Sequence, residues 1–174
     1  RQLLCLALAG LCTVFLAGES QAKSYRFCGF SQKASVTKIR CSSKRLKNLK
    51  ALRPFKKLRE LNLTRSGLKS VKSIPSLASL RVVSLNYAPI ASLDGVGANP
   101  TLEELDASNT AIRHLRGVEA LPSMRILTLW NTKVSDMGPL AKLTKLQSLV
   151  LGGSLVHDLS PIAGLKSLRL LNLE

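Results

Sequence analysis

Residues Leu146–Ser167 read LQSLVLGGSLVHDLSPIAGLKS, and the spacing of their apolar side chains recurs every 22 residues along most of the chain. Numbering this unit from 1 to 22 places apolar residues at positions 1, 4, 6, 11, 14, 17 and 20. Asn99, at position 20 of the third copy, is the single exception among the 42 apolar positions of the six complete copies. A fixed period of this length predicts a solenoid, in which each unit buries its apolar face against its neighbours. The copies begin at Val36, Leu58, Leu80, Leu102, Met124 and Leu146, and a partial seventh begins at Leu168.

The start of each unit has the spacing L-x-x-L-x-L, seen as LRELNL, LEELDA, LQSLVL and LRLLNL, and it resembles the leucine-rich repeat. The later part, as in VSDMGPLAKL and VHDLSPIAGL, is similar to the 22-residue class of bacterial internalins and phosphatase-regulator proteins. The resemblance covers residues 36–174. It implies an α/β solenoid shaped as a horseshoe, with a parallel sheet on the concave face and short helical or irregular turns on the convex face. It implies little about function, because this scaffold serves many partners.

The N-terminal segment has the features of a leader. An apolar run covers residues 3–18, and Ser20-Gln21-Ala22 supplies the small residues that a signal peptidase reads. Residues 1–22 are therefore predicted to be a secretory signal peptide cleaved after Ala22, which would make the protein secreted, periplasmic or bound at the cell surface. No transmembrane span is expected after cleavage. The alternatives are a retained anchor and lipid attachment at Cys12, which the bulky residue before it disfavours.

Residues 23–35 precede the first copy and are predicted to form an N-terminal cap. Cys28 lies in this segment and Cys41 lies at position 6 of the first copy. Export to an oxidising compartment predicts a disulfide between them, whereas the alternative is two free thiols. At the other end, the partial copy stops at Glu174 without the polar cap that solenoids need. We therefore expect a truncated sequence or an end covered by another subunit.

Some positions depart from a uniform repeat. The resemblance implies Asn at position 9, bonding the backbone along the stack, and a hydroxyl could replace it. Lys44 and Ala88 lack such a group, so the loops of the first and third copies are expected to be poorly ordered. Asn99 would be costly to bury, which predicts a local bulge that exposes it. Gly138-Pro139 and Ser160-Pro161 predict short helical turns. Position 9 holds Lys44, Ser66, Ala88, Thr110, Thr132 and Ser154.

The charge is concentrated in the first third of the mature chain. Residues 23–81 contain 17 Lys and Arg against one acid, Glu60, whereas residues 82–174 contain eight of each. Such an excess attracts a polyanion over long range, for example lipopolysaccharide or another anionic glycan. The alternative is a solvated face that keeps the stack soluble. Nucleic acid is disfavoured, because aromatic residues interleaved for base stacking are absent. The candidate polyanion-binding residues are Lys44, Arg45, Lys47, Lys50, Arg53, Lys56, Lys57 and Arg59.

Motifs of enzymes and metal centres are missing. The chain has two histidines and lacks C-x-x-C, H-E-x-x-H and glycine-rich phosphate-loop motifs, so we predict neither catalysis nor a cofactor or metal. Position 13 holds His114, Asp136 and Asp158 in consecutive copies, which could in principle ligate a divalent cation. Capping of the convex turns by the aspartates is the simpler interpretation.

The outward residues of the strands, at positions 3 and 5 with the adjoining 7 and 8, form the predicted protein-binding surface. Exposed Trp and Tyr are favoured anchors at such surfaces. The leading hypothesis is an exported, non-enzymatic module that binds a protein on its concave face, and the resemblance implies host or envelope proteins as partners. The alternatives are a polyanion-binding envelope protein and a structural spacer of a longer protein. The candidate protein-binding residues are Tyr87, Trp130, Val82, Glu104, Asp106, Ile126, Thr128 and Val150.

Overall fold

A computed structural model describes residues 24–43 and 45–174, so the predicted signal peptide and Lys44 lie outside the described residues. One short strand from each copy joins a seven-stranded parallel sheet in which the strands follow sequence order. An antiparallel hairpin precedes this sheet. The predicted solenoid with a parallel sheet on one side is confirmed. The strands are β1 (Ser24–Phe27), β2 (Phe30–Lys33), β3 (Lys38–Arg40), β4 (Glu60–Asn62), β5 (Val82–Ser84), β6 (Glu104–Asp106), β7 (Ile126–Thr128), β8 (Ser148–Val150) and β9 (Leu170–Asn172).

The register of the sheet places every residue beside its equivalent in the next copy. Leu105 of β6 pairs with Leu127 of β7, at position 4 of adjacent copies. Backbone pairing between copies continues just beyond the strands. The N–H at position 6 donates a hydrogen bond to the carbonyl at position 5 of the following copy. For example, the Leu85 N–H donates to the Asp106 carbonyl at 2.7 Å. Equivalent positions therefore form columns along the stack.

The apolar columns meet in one continuous core. Position 1 side chains such as Leu58, Leu80 and Leu102 are fully buried, and burial of a leucine contributes about 1.5–3 kcal/mol. Each copy needs the next one for this burial. In the partial seventh copy, Leu171 and Leu173 are accordingly 39% and 50% exposed.

Short 3₁₀-helices return the chain along the convex side. The helical turns predicted at Gly138-Pro139 and Ser160-Pro161 are confirmed. The glycine-rich third copy also forms one, and its Gly95 has a φ of 97° with its α-carbon packed against Lys72 of the preceding copy. A Cβ there would lie 2.7 Å from the Lys72 Cα, so glycine is required. The 3₁₀-helices of the described residues are Lys50–Leu52, Val96–Ala98, Val118–Ala120, Gly138–Lys142 and Ser160–Ile162.

The N-terminal hairpin packs against the first copy. The disulfide between Cys28 and Cys41 is present, with a Cα–Cα distance of 5.7 Å. Phe27 is buried, and the ring of Tyr25 meets that of Phe55 edge to face with 6.0 Å between centroids. A cross-link that closes a loop of this size stabilises the fold by about 3 kcal/mol in the chain-entropy model.

The prediction that a bulge exposes Asn99 is wrong, because this residue is only 1% exposed. Its Oδ1 accepts a hydrogen bond from the Leu77 N–H at 2.9 Å. In the other complete copies the position 20 N–H donates instead to the position 17 carbonyl of its own copy, as in Leu121 to Val118. Pro75 explains the difference. A proline disfavours the helical backbone conformation of the residue before it, here Ile74, so the turn after Ile74 does not continue. Asn99 therefore supplies the acceptor that this turn lacks.

The position 9 expectations also need correction. Thr110 and Thr132 donate to the carbonyls of Ala107 and Leu129 in their own copies, not along the stack. The Ala88 turn is ordered like the others without a hydroxyl, because its own N–H donates to the Leu85 carbonyl at 2.9 Å. The backbone alone closes this turn.

A column that the sequence analysis did not identify lies at position 8. In the second to sixth copies its residue has a left-handed backbone, with φ between 52° and 66°, a conformation that Gly and Asn adopt most readily. Asn109 and Asn131 also form a side-chain ladder here, because Asn131 donates to Asn109 at 3.0 Å and Asn109 donates to Asn86 at 3.1 Å. The residues of this column are Arg65, Tyr87, Asn109, Asn131 and Gly153.

Pro75 and Asn99 are predicted to be energetically coupled. Asn99→Leu leaves the buried Leu77 N–H without an acceptor, which costs about 1–3 kcal/mol. In a Pro75→Ala background the turn after Ile74 can close, so the same leucine is expected to be tolerated better by about 1–2 kcal/mol. A double-mutant cycle in urea measures this coupling. Additivity within about 0.5 kcal/mol would contradict the explanation.

Asn109 is predicted to serve both the left-handed backbone and the side-chain ladder. Asn109→Gly removes the ladder and adds the backbone entropy of glycine to the unfolded state, so the free energy of unfolding should fall by about 1–2 kcal/mol. Asn109→Ala adds the left-handed penalty and should cost about 1–2 kcal/mol more. Chemical denaturation of the two variants with the disulfide intact compares them directly. Equal losses would show that the backbone conformation does not select the residue.

Candidate functional site

The concave face is the side of the parallel sheet formed by positions 3 and 5, with positions 7 and 8 along its edge. All eight predicted protein-binding residues lie there and reach solvent. Glu104, Ile126, Tyr87 and Trp130 are exposed, and the others are half-buried. The structure thus brings the predicted set onto one accessible surface that spans β5 to β8.

Trp130 is the largest exposed side chain of this surface, with 44% of its area accessible. It lies at position 7, and its indole ring covers Gly152 at the same position of the next copy. A Cβ on Gly152 would overlap the backbone carbonyl of Glu174 and would lie 2.9 Å from the Trp130 Cδ1. Gly152 therefore leaves room for both the Glu174 backbone and the edge of the indole.

Tyr87 is the second exposed aromatic side chain, with 49% of its area accessible. Its backbone belongs to the left-handed column, and its N–H donates to the Ser108 carbonyl at 3.1 Å. The guanidinium carbon of Arg65, in the preceding copy, lies 5.0 Å from the ring centroid. A cation over the ring face restricts the ring and contributes about 0.5–1 kcal/mol at an exposed site.

Polar side chains occupy the edge between these two aromatic residues. The copies that carry Tyr87 and Trp130 are separated by one copy, which places them about 10 Å apart along the stack at the usual strand spacing. The Asn86–Asn109–Asn131 ladder runs along this edge and fixes the orientation of its amides. The result is a pair of exposed aromatic side chains with ordered hydrogen-bonding groups between them.

The acidic residues of the concave face differ in their contacts. Asp106 accepts a hydrogen bond from the Ser108 N–H at 3.0 Å, so one of its carboxylate oxygens stabilises the turn. Glu104 makes no ion pair within residues 24–43 and 45–174. Glu60, by contrast, pairs with Lys38 of the previous copy at 2.8 Å. Within the described residues, Glu104 and the second carboxylate oxygen of Asp106 therefore have no internal partner on this face.

The aspartates of position 13 cap the convex turns. Asp136 accepts a hydrogen bond from the Gly138 N–H at 2.8 Å, and Asp158 accepts one from the Ser160 N–H at 2.9 Å. The bonds from the Ser160 N–H and hydroxyl lower the pKa of the exposed Asp158. No cluster of three His, Cys, Asp or Glu side chains suited to a metal occurs in the part of the chain that the structure describes.

The candidate polyanion-binding residues that the structure describes are all exposed, with Arg59 at position 2 of the second copy and the others on the return segment of the first. None of them joins either of the two ion pairs seen in the described ranges, which involve Lys38–Glu60 and Arg81–Glu103. In residues 24–43 and 45–174, no helix has the length and apolar character needed to cross a membrane. The described members of the basic set are Arg45, Lys47, Lys50, Arg53, Lys56, Lys57 and Arg59.

Comparison with known proteins identifies the fold. No protein-family model and no curated protein sequence matches the chain. Among solved structures, an internalin, inlF, from Listeria monocytogenes matches with a TM-score of 0.69 and 29% identity over 74% of this chain and 38% of that one. The chain thus spans well under half of that protein.

Internalin C2 from the same organism matches with a TM-score of 0.55 and 17% identity, over 83% of this chain and 85% of that chain. At this identity the likeness concerns the fold alone. Together with the seven in-register parallel strands, these matches show that the chain is a leucine-rich repeat solenoid whose repeats resemble those of internalins.

Proposed function

We propose that the chain is an exported, non-enzymatic module that binds a protein partner on its concave face, around Tyr87 and Trp130. A leucine-rich repeat fold of the internalin type supports a role in protein interaction generally. The observation that carries the specific site is a pair of exposed aromatic rings held in place by neighbouring copies. Rigid, amphipathic aromatic side chains lose little entropy on binding and are the commonest interface anchors.

The neighbouring residues suit a protein partner. Ile126, 38% exposed, and Val150 add apolar area on β7 and β8. Glu104 supplies a free charge that can pair with a basic group, and the asparagine ladder supplies oriented amides. An apolar centre with polar groups at its margin is the usual anatomy of a protein interface.

The size of the sheet limits how the partner binds. Seven strands about 4.8 Å apart extend over roughly 30 Å, and each strand exposes few side chains. A standard interface uses about 800 Å² on each partner. We therefore propose that the partner also contacts the edge that carries positions 7 and 8, where both aromatic anchors lie.

Export is part of the same proposal. The disulfide between Cys28 and Cys41 is typical of an oxidising compartment, and the apolar leader precedes it in the sequence. We propose cleavage after Ala22, which leaves the hairpin at the start of the mature protein.

Trp130→Ala is predicted to weaken partner binding by about 2 kcal/mol, or about 30-fold, because it removes a central aromatic anchor. Partners are first selected from a displayed library of extracellular protein domains, and their affinities for each variant are then measured by interferometry. Tyr87→Ala should show a smaller loss in the same assay.

The matched control is Phe30→Ala, which removes an aromatic side chain that is 64% exposed on the N-terminal hairpin, away from the concave face. This change should alter affinity less than about twofold. If selected partners tolerate both concave-face substitutions, the site is wrong and a spacer role becomes the better interpretation.

Export makes a separate prediction. Expression with an added initiator methionine in a bacterial host should yield periplasmic protein that begins at Lys23, as read by intact mass spectrometry. Alkylation of the unreduced protein should find no free thiol, because Cys28 and Cys41 are bonded. Retention of the leader in the periplasmic material would contradict the assigned cleavage site.

A further inference from the structure

We propose that the basic loop Arg45–Lys47, together with Arg26 and Lys69, forms a binding site for a linear polysaccharide that carries sulfate or phosphate groups. The site lies on the convex side of the first two copies, away from Tyr87 and Trp130. It does not depend on the concave-face function.

Two cavities open on either side of this loop. The first, of about 460 Å³, lies between the N-terminal hairpin and the first copy and is lined by Arg26, Arg45, Lys47 and Asn48 among others. The second, of about 270 Å³, lies between the first and second copies and is lined by Arg45, Leu46, Lys47, Gly67 and Lys69. Because both cavities share residues of the loop, one extended ligand can reach from one to the other.

The loop is held by hydrogen bonds before any ligand binds. The Ser43 carbonyl accepts from the Gly67 N–H at 2.9 Å and from the Leu46 N–H at 3.2 Å. The Asn48 Oδ1 accepts from the Lys50 N–H at 3.1 Å. A backbone fixed in this way lowers the entropy lost when the charged side chains engage a ligand.

The register of the solenoid stacks like charges at this site. Lys47 and Lys69 both occupy position 12, in adjacent copies. Like charges placed opposite each other across neighbouring strands or turns are destabilising. An anion bound between them would relieve this repulsion.

Two cations outside this site pair with an acid of the next copy. Lys38 pairs with Glu60 at position 3 of the next copy, and Arg81 pairs with Glu103 at position 2 of the next copy, at 3.2 Å. Within residues 24–43 and 45–81 the only acid is Glu60, which lies on the concave face. Within the described residues, Arg26, Arg45, Lys47 and Lys69 form no ion pair, so an external anion would be their counterion.

The shape of the site favours a polysaccharide over other polyanions. A linear charged chain can follow both cavities along the loop, which places successive anionic groups beside Arg45, Lys47 and Lys69. The residues that line the two cavities include one aromatic, Phe27, which is buried, so bases have no exposed ring to stack on. Repeated sulfate or phosphate groups match Arg and Lys side chains, which bind such oxyanions strongly.

The test measures binding of the mature protein to end-labelled dextran sulfate by fluorescence anisotropy in 150 mM NaCl. Neutralising three cations of the site should reduce the affinity at least tenfold and lower the salt dependence. A control that removes equal charge from exposed convex lysines of the fifth and sixth copies should reduce it less than threefold. The site variant is Arg45→Gln/Lys47→Gln/Lys69→Gln, and the control variant is Lys142→Gln/Lys145→Gln/Lys166→Gln.

Thermal unfolding gives a second measurement that does not involve binding. At low salt the site variant should melt at a higher temperature than the wild type, because it removes the Lys47–Lys69 repulsion. The control variant should not show this gain. Trp130→Ala should leave the affinity for dextran sulfate unchanged, which separates failure of this proposal from failure of the concave-face function.

Four results would overturn the proposal. The first is an equal loss of affinity in the site and control variants, and the second is absence of dextran sulfate binding by the wild type in 150 mM NaCl. The third is binding of a single-stranded oligonucleotide of matched charge more tightly than dextran sulfate. The fourth is capture of the protein by vesicles containing 30% phosphatidylserine when soluble dextran sulfate fails to bind.

Discussion

In-register pairing of parallel strands is the constraint on which the rest of this structure depends. Each hydrogen bond from position 6 to the position 5 carbonyl of the next copy sets the spacing and alignment of whole repeats. Once alignment is set, a side chain meets its own equivalent on either side. Leucines then form a continuous core, asparagines form a ladder, and charges either pair or repel. One backbone rule thus determines the neighbours of nearly every residue.

The same constraint explains how a local irregularity is compensated in an adjacent copy. Pro75 interrupts the turn of the second copy, and the N–H that loses its acceptor lies directly beside position 20 of the third copy. Asn99 provides the missing acceptor there, although an isolated buried amide would be unfavourable. The Asn99 Nδ2 remains without a hydrogen-bond partner in the described residues, so the compensation is incomplete.

Prediction from sequence succeeded for features that recur in every copy and failed for features that depend on a contact with one residue of an adjacent copy. The core positions and the proline-led turns follow from periodicity and turn chemistry, the parallel sheet from the resemblance to leucine-rich repeats, and the Cys28–Cys41 bond from the predicted export. The left-handed column at position 8 did not emerge, because Arg65 and Tyr87 obscure it, although Gly153, Asn109 and Asn131 were a visible signal for that conformation. The burial of Asn99 could not be inferred from its own copy, because its partner belongs to the preceding one.

The sequence by itself determined the repeat length, the apolar columns and the concentration of positive charge in the first copies, because these properties are sums over residues or spacings along the chain. Only the tertiary structure decided which side chains face each other. It placed Trp130 against Gly152, Arg65 over Tyr87, and Lys47 beside a cavity that Lys69 also lines. The physical reason is that contacts between copies depend on the alignment of two separate segments. The sequence of one segment does not specify which residues of another segment lie beside it.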